Sequence, residues 1–529
     1  MEKEPRKVTL NDLFQEVESI FEFVKFQSAS ARENLHKRDS LCDADETERG
    51  VLSKLLKIGQ RLMTLYLGEL GTGDLGTRTV VNEIEYVRRI KDRQVNCLTI
   101  FGKVDFLHSL YYAEDGSCLK PVEAMANLPE RKASYFLQDL FGREAVDKSY
   151  EDSKNFFKSF SDLRISKRTI EKVVKEMADH HEEYEMKNNL PKKTEEGSIG
   201  VVNFDGKGVH VVPQDRKGKG TTKEALVSTT YTINPNPRTA EEVTQALVFP
   251  KPLSKDEKKS KEPRERARNI HYDCSIQKEK SEVFQSTCDI SKKRFVRLLT
   301  PLVCIMDGAT ILWKHARDYF PDAIYILDII HVLEYIWEAA KVLEPKKEKA
   351  QKKLVAAYLQ QILEGKVKTV IRALRQRITK NCIKGSKLED LEKVITYFEN
   401  HIPYMNYDKY LANGYPIGSG VVESACGHIV KDRMDKSGAW WRIVGAEPML
   451  KLRCVKANDD WNLYIKNRKD EERKRLYDKT HFPHLFFAIL MIFFPQKMNC
   501  FWNVDELQNP SIILTYGIVI IDSIVYYDL

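Results

Sequence analysis

The sequence predicts an α/β protein in which a sheet buried on both faces follows mainly helical N-terminal regions. Runs rich in Val and Ile recur at IGVVNFDGKGVHVVP, FVRLLTPLVCIMDGA and DAIYILDIIHVLEYIW, and helical stretches separate them, as in proteins that alternate strands and helices. The first 70 residues instead carry apolar residues at helical spacing. A chain of 529 residues can form two to four compact units, and its ten cysteines contain no C-x-x-C pair, which argues against a disulfide framework or a zinc ribbon.

The N-terminal region, residues 1–75, is expected to be helical. Thr9 and Asp12 form a pattern typical of a capping box. The apolar residues that follow recur every three or four positions, as on one face of a helix: Leu13, Phe14, Val17, Ile20, Phe21 and Val24. GTGDLGT at 71–77 has the composition of a linker, and the runs directly after it are shorter and more strand-like.

Residues 76–190 are predicted to form a helical DNA-binding region. The stretch SYEDSKNFFKSFSDLRISKRTIEKVVKEMA resembles two helices joined by a short turn, which makes it a candidate helix-turn-helix. Ser166 can cap the second helix, and Lys167 and Arg168 stand at its exposed start, where a reading helix meets DNA. The alternative is a surface hairpin of two helices with solvated lysines.

The predicted sheet occupies residues 198–343 and its last part lies in 413–465. Between them, residues 344–412 carry apolar residues at helical spacing among many Lys and Arg, which predicts a helical insertion. Residues 466–529 form an atypical tail with apolar runs such as LFFAILMIFF. No internal run reaches the roughly 18 apolar residues of a membrane span, so no membrane partner is expected.

Three acidic residues stand where a carboxylate is costly without a partner. Asp205 and Asp307 each follow an apolar run and precede a glycine, and Glu423 follows the glycine turn GYPIGSG. Taken singly, an Asp-Gly dipeptide signals a turn and Glu423 could be a helix-start charge. Together, the three acids could hold two divalent cations, Mg²⁺ or Mn²⁺, which take oxygen ligands and bridge a phosphate. A carboxylate pair acting on a sugar is the competing chemistry.

A basic run follows Glu423 and favours a polyanionic substrate over a sugar. Its members are expected to contact a phosphate backbone: Lys431, Arg433, Lys436 and Arg442. Trp440 and Trp441 could stack on bases or pack in the core, and core packing is expected for at least one of them.

Three blocks of the sequence resemble the DDE transposases of bacterial insertion sequences, of the Kra type. The blocks are VVNFDGKGV, IMDGATILWKHARDYFPDAIYILDIIHVLEYIW and YPIGSGVVESACGHIVKDRMDKSGAWWRIVGAEPMLKLR, and the resemblance extends over about residues 60–465. It implies a ribonuclease-H-like core split by a helical insertion, with Asp205, Asp307 and Glu423 as the catalytic, metal-binding triad. It also implies an enzyme that cleaves double-stranded DNA at element ends and joins it to target DNA. Such an enzyme would be a homo-oligomer on DNA in the prokaryotic cytoplasm, associated with the nucleoid.

Asp328 and His331, in ILDIIHVLEYIW, resemble a D-x-x-H signature that related transposases place between the second and third acids. They are expected to support the site, and Asp328 is the alternative second acid because it also follows a β-run. His331 could hold an orienting hydrogen bond or contact DNA. Cysteine pairs that such proteins often carry are reduced here to Cys118. A transposase-derived DNA-binding protein with decayed chemistry is therefore the main rival, and a glycoside hydrolase the weaker one.

Overall fold

The computed structural model shows a mixed α/β fold, as the sequence predicts, and two sheets lie within its described part. No described helix combines the length and the apolar character that crossing a membrane requires. The described residues are 9–33, 44–187, 190–216, 218, 220–250, 265–295, 300–345 and 347–477.

Two long helices begin the described chain, α1 at Leu10–Glu33 and α2 at Ala44–Glu69. The predicted cap of α1 is confirmed. The amide of Thr9 donates to Asp12 Oδ2 over 2.8 Å, and the amide of Asp12 donates to Thr9 Oγ1 over 3.2 Å. Each residue thus satisfies the other's backbone N–H at the helix start, as in a capping box.

An antiparallel sheet of four strands follows, at the runs predicted to be strand-like, so the summary of residues 76–190 as a helical region applies only to its later part. In the first half of β3 (Gly102–Tyr112), residues 103–108 alternate between more and less buried positions, the period of a strand with one face on a core. The strand-like runs after the glycine linker carried this signal. The strands, paired in chain order, are β1 (Arg78–Val81), β2 (Ile84–Thr99), β3 (Gly102–Tyr112) and β4 (Cys118–Leu119).

Five helices complete this region. The predicted cap of the α6 helix is confirmed, because Ser166 Oγ accepts from the amide of Thr169 over 3.1 Å. Its predicted inward face is confirmed as well, since Ile170, Val173 and Met177 are buried. A five-residue turn separates α5 from α6, as in the predicted helical pair, and its DNA-reading role stays a prediction. The helices are α3 (Pro121–Met125), α4 (Tyr135–Ala145), α5 (Tyr150–Ser161), α6 (Lys167–Met177) and α7 (His181–Lys187).

The second sheet is mixed and has the strand order β7-β6-β5-β8-β9. β5 pairs antiparallel with β6, and β6 with β7, whereas β5, β8 and β9 run parallel to one another. The strands are β5 (Ile199–His210), β6 (Thr222–Ile233), β7 (Arg268–Ser275), β8 (Leu302–Met306) and β9 (Ile324–Leu327).

Both faces of this sheet are covered, as the Val- and Ile-rich runs predict. Successive residues of β6 point into two different cores, Leu226 into one and Val227 into the other. The first core includes side chains from the helices α8 (Ala240–Val248), α9 (Lys280–Phe295), α10 (Thr310–Tyr319) and α11 (Ile329–Leu343).

Helices also occupy the stretch that was predicted as an insertion, and they join the first core. They are α12 (Glu348–Leu363), α13 (Val367–Lys380), α14 (Ser386–His401) and α15 (Tyr407–Ala412).

The last part of the described chain is helical and packs on the opposite face of the sheet. It contains α16 (Gly420–Ala425), a π-helical turn (Cys426–Lys431), α17 (Asp432–Met434), α18 (Ile443–Ala457) and α19 (Trp461–Tyr477). Of the tail predicted at 466–529, residues 478–529 lie outside the described residues.

Two buried ion pairs join elements around the second sheet. Arg294, near the end of α9, donates from Nε and Nη2 to the two oxygens of Glu196, each over 2.7 Å. Lys451 on α18 donates to Asp273 Oδ1 on β7 over 2.7 Å. All four side chains are less than a tenth exposed. Loss of either partner would remove the main opposite charge beside a buried one, which typically costs about 3–5 kcal/mol.

Candidate active site

Three aspartates lie at one edge of the second sheet, where parallel strands bring their carboxyl ends together. Asp205 belongs to β5, and Asp307 and Asp328 directly follow β8 and β9. The register pairs Asn203 with Ile305, so two residues further along each strand bring Asp205 beside Asp307. The neighbouring pairing, between the last residues of β8 and β9, places Asp328 next to Asp307 in the same way.

Asp205 is half-buried, and its Oδ1 accepts from the amide of Gly206 over 2.7 Å. Burial raises the pKa of Asp205, and the charge of Asp307 raises it further, against hydrogen bonds from the Cys426 thiol and the Gly206 amide. Cys426 begins the π-helical turn after α16. Single π turns occur often at functional sites because they re-aim side chains within a helix.

Hydrogen bonds within the turn and from the helical insertion stabilise the Asp307 turn. Asp307 Oδ1 accepts from the amide of Ala309 over 2.9 Å, just before α10. Tyr397 Oη on α14 donates to the carbonyl of Asp307 over 2.8 Å, and His401 Nε2 donates to that of Gly308 over 2.9 Å. Gly308 has φ +103°, and an added Cβ would lie 2.9 Å from Tyr397 Oη. Glycine is therefore required between the acid and the insertion.

Asp328 is completely buried, and four hydrogen-bond donors lie around its carboxylate. Its Oδ1 accepts from the amides of Ile330 and Ser419, over 3.2 and 3.1 Å. Its Oδ2 lies 2.8 Å from His331 Nδ1 and 2.9 Å from Ser419 Oγ. Burial alone would raise the pKa of Asp328, but these hydrogen bonds, first that of His331, lower it. The bond to Asp328 in turn raises the pKa of His331 to about 9.

Glu423 shares the hydroxyl of Ser419 with Asp328. Ser419 Oγ lies 2.8 Å from Glu423 Oε1 and 2.9 Å from Asp328 Oδ2, although a hydroxyl has one proton to donate. Burial raises the pKa of Glu423, and the nearby Asp328 raises it further. One ligand atom from each of Asp328, His331 and Glu423 lies within 4.8 Å of the others, a grouping that could hold a metal ion.

The five acids and bases that the sequence indicated belong to one electrostatic site. Asp307 raises the pKa of both Asp205 and His331, and His331 lowers the pKa of Asp205 and of Glu423. Sequence reasoning missed four residues that hold these groups. Ser419 and Cys426 lie four before and three after Glu423, a helical spacing that could have indicated a shared face. For Tyr397 and His401 no local signal exists, because they reach the Asp307 turn from the insertion.

The basic residues predicted to contact DNA differ in exposure. Lys167 and Arg168 are exposed at the start of α6, and Lys431 is exposed at the end of the π turn. Lys436 is exposed and donates to the carbonyl of Asp147 over 2.9 Å.

Arg442 is 58% exposed and pairs with Asp215 over 3.2 Å. Near it, the guanidinium of Arg216 lies 4.7 Å from the ring centre of Trp440, which is half-exposed. Arg216 was not singled out from the sequence.

Arg433 corrects the prediction, because it is buried rather than presented to DNA. Its side chain is 2% exposed, and its Nε donates to the carbonyl of Ala145 over 2.8 Å. The guanidinium stacks between Tyr150 and Trp441, 5.2 and 4.9 Å from the ring centres. It therefore fastens α17 to the α4–α5 region. Trp441 is buried as well, in agreement with the expected core packing of one tryptophan.

No protein-family model matches the chain, and no curated protein matches it either. Among solved structures it is similar to the Drosophila P element transposase strand transfer complex, with 11% sequence identity and a TM-score of 0.22. The match covers 67% of this chain and 86% of that one. A TM-score this low does not establish a shared fold or function. The chemistry of the site therefore has to be inferred from its own residues.

Proposed function

We propose that the chain is a metal-dependent DNA transposase of the DDE type, which cleaves DNA at element ends and transfers the freed strand to a target. The observation that supports this proposal is the row of acids at the carboxyl ends of β5, β8 and β9, where Asp205 lies beside Asp307 and Asp307 beside Asp328. Glu423 joins this row through Asp328 and His331, whose ligand atoms lie within 4.8 Å of its own. The sheet, with helices inserted before Glu423, is compatible with the ribonuclease-H-like core that the resemblance implies.

The donor set fits two Mg²⁺ or Mn²⁺ ions. These hard cations prefer carboxylate oxygens, and the raised pKa values of Asp205 and Glu423 reflect burial and crowding of like charges that a bound cation would relieve. The site thus combines oxygen ligands with a local excess of negative charge.

Hydrogen bonding distinguishes the two candidates for the second acid. A carboxylate offers about four lone-pair positions. Those of Asp328 face two amides, an imidazole and the Ser419 hydroxyl that it shares with Glu423. Asp307 Oδ2 has no hydrogen-bond partner among the described residues, so Asp307 keeps the capacity to bind a cation. We therefore assign Asp307 as the second ligand and Asp328 as the residue that positions its neighbours.

In the proposed reaction, water attacks a phosphodiester at the element end, the bond to the 3′ oxygen breaks, and a 3′-hydroxyl is released. That hydroxyl then attacks a target phosphodiester and displaces the 3′ oxygen of the target strand. The bound cations would activate the attacking oxygen and stabilise the leaving one. Asp328 holds Ser419, and through it the start of α16, so that Glu423 faces the aspartates. The protonated His331, about a third exposed, adds a positive charge where a phosphate would enter.

The surface beside the site suits a phosphate backbone. Lys431, Lys436 and Arg442 are exposed along the segment that follows Glu423. Trp440 and Arg216 add a half-exposed aromatic ring and a second guanidinium, and such rings can stack on unpaired bases. These groups supply backbone affinity, while recognition of the end sequences is assigned to the helices before the core.

The proposal is tested with DNA that carries the sequences flanking the coding region. The full chain is incubated with this DNA in Mg²⁺, in Mn²⁺ or in a chelator, and nicked and joined products are measured. Cleavage should require the metal and should be lost in Asp205→Asn, Asp307→Asn and Glu423→Gln, with DNA binding retained. Asp318→Asn, at an exposed aspartate of α10, is the matched control and should cleave normally.

Calorimetric titration with Mn²⁺ gives a readout besides activity. The wild-type chain should bind two ions, and Asp205→Asn should bind fewer. DNA binding without cleavage or metal uptake would support the DNA-binding protein with decayed chemistry. Cleavage that survives in any one of the three variants would remove that residue from the triad.

A further inference from the structure

The α1 helix carries an apolar stripe without a partner among the described residues. Phe14, Val17, Phe21 and Val24 recur at intervals of three and four residues, the spacing of a coiled-coil seam. Phe14 is 70% exposed and Phe21 is 63% exposed. Soluble proteins do not normally leave a contiguous row of large apolar side chains in water unless it serves an interaction.

A different face of α1 contacts α2. Arg61 lies 3.5 Å from Glu16, and Lys54 donates to Ser19 over 3.3 Å and lies above the ring of Phe23. Residues later in α1 contact residues earlier in α2, so the two helices are antiparallel. At 100° per residue, the exposed stripe lies roughly 150° around α1 from this contact face. Hence the contact with α2 does not explain the stripe.

The α2 helix extends the same apolar surface. Leu55, Leu62 and Tyr66 are about half-exposed and are spaced by seven and four residues. They lie roughly 110° around α2 from the residues that contact α1, in the same sense of rotation as the stripe on α1. Because the helices are antiparallel, the same sense of rotation places both stripes on one side of the hairpin.

We propose that this side of the α1–α2 hairpin is a dimer interface, occupied by the same hairpin of a second copy of this chain. The charges beside the stripe favour a two-fold antiparallel arrangement of the two α1 helices. With Phe14 and Phe21 at the first position of the heptad, Glu18 and Lys25 both occupy its fifth position. In an antiparallel pair these positions face each other, so Glu18 of each copy meets Lys25 of the other. A two-fold axis forms that complementary pair twice.

The size of the surface agrees with a second copy. The three aromatic side chains, Phe14, Phe21 and Tyr66, together expose about 350 Å² per copy, given the usual area of such side chains. The four aliphatic members of the stripes bring two copies to the order of 1,000 Å², at which specific interfaces begin. The dimer should therefore form without DNA and independently of the metal site.

The test measures the mass of the full chain in solution across a concentration series, by light scattering and sedimentation. The wild type should sediment as a dimer of the 61.4 kDa chain at low micromolar concentration. Phe14→Glu and Phe21→Glu should each weaken the dimer about tenfold or more, because a charge enters the seam. Both should keep the wild-type circular dichroism and melting transition, since the two rings are exposed. Phe136→Glu, at a 59% exposed phenylalanine of α4, is the matched control and should leave the dimer unchanged.

Charge reversal tests the antiparallel pairing itself. Glu18→Lys should weaken the dimer about three- to tenfold, because two like-charged pairs replace two complementary ones. Glu18→Lys combined with Lys25→Glu should restore it, which a loss of folding could not explain. Failure of the double variant to recover would overturn the antiparallel arrangement.

The remaining outcomes overturn the interface. A wild-type chain that stays monomeric at about 50 μM, or Phe14→Glu and Phe21→Glu variants that dimerise normally, would refute it. The last variant in the experiment is a chain truncated after Tyr477. If the wild type is monomeric and only this shorter chain associates, the stripe is covered by the chain's own C-terminal residues, and the second copy is excluded.

Discussion

The hydrogen bond between Asp328 and His331 leads to a prediction that can be tested without knowing the DNA substrate. Asp328→Asn keeps the shape of the side chain, and its remaining carbonyl oxygen can still accept from the amides of Ile330 and Ser419. The new amide nitrogen cannot accept a hydrogen bond from the imidazolium, because an amide NH₂ group only donates. The main group that raises the pKa of His331 is then lost, while burial still lowers this pKa and Asp307 and Glu334 still raise it. We expect the pKa of His331 to fall from about 9 towards its ordinary value of 6.5.

The magnitude follows from that shift. Raising the pKa from 6.5 to about 9 corresponds to about 3 kcal/mol of preference for the charged form. His331 is 32% exposed, so solvent screening reduces this to about 2 kcal/mol. Because the folded-state pKa lies above that of the unfolded chain, this stability is fully present below pH 6.5 and is lost as pH rises through about 9. Asp328→Asn should lack this loss between pH 6.5 and 9.

Urea unfolding in a chelator, from pH 6 to 9.5, measures the stability, and NMR of the histidine ring measures the titration directly. His331→Gln assigns the resonance and should flatten the same part of the stability curve. A wild-type His331 that titrates near 6.5 would refute the reasoning. Equal slopes of stability against pH in the wild type and Asp328→Asn would refute it as well.

Three further predictions concern residues that hold the fold around the site. Arg294→Met should destabilise the protein by about 3–5 kcal/mol at pH 7 in urea unfolding, and adding Glu196→Gln should recover much of the loss, because no buried charge then remains unpaired. Tyr397→Phe should lower the free energy of unfolding by about 1 kcal/mol, because the hydrogen bond to the carbonyl of Asp307 is lost. It should also lower the affinity of the Asp307 site for Mn²⁺ in calorimetry, without changing DNA affinity. Unchanged Mn²⁺ affinity would show that the hydrogen bond stabilises only the fold. Arg433→Met should lower the melting temperature yet leave the slope of log DNA affinity against log salt unchanged, whereas Lys431→Ala should reduce that slope by about one. A reduced slope in Arg433→Met would place this residue on the DNA after all.

Local pattern was enough to find helix starts and buried faces. The reciprocal bonds of Thr9 and Asp12, and the cap at Ser166, involve residues three positions apart, so the sequence contains both partners. The alternation of apolar runs and helical stretches likewise predicted a sheet covered on both faces. The short apolar runs after the glycine linker also predicted strands, and they form the sheet of β1 to β4, so only the later part of 76–190 is helical.

The position of a polar residue in the sequence did not predict whether its side chain is buried or which hydrogen bonds it accepts. Arg433 lies in a basic run whose other members are exposed, yet it is buried between two aromatic rings, one of which belongs to α5. Asp307 and Asp328 have the same local pattern, an acid after an apolar run. They differ because four donors, two of them on Ser419, face Asp328, whereas Asp307 Oδ2 has no hydrogen-bond donor among the described residues.

The sequence by itself determined where the acids stand along the chain, because an acid beside a glycine or at a helix start is a local pattern. It also determined that the strands alternate with helices and that helices separate Asp328 from Glu423. Only the tertiary structure decided that Tyr397 and His401 clamp the Asp307 turn across about 90 residues, and that Ser419 joins Asp328 to Glu423. The physical reason is that periodicity encodes which face of an element is apolar, whereas hydrogen bonds and charge burial depend on the element that packs against it.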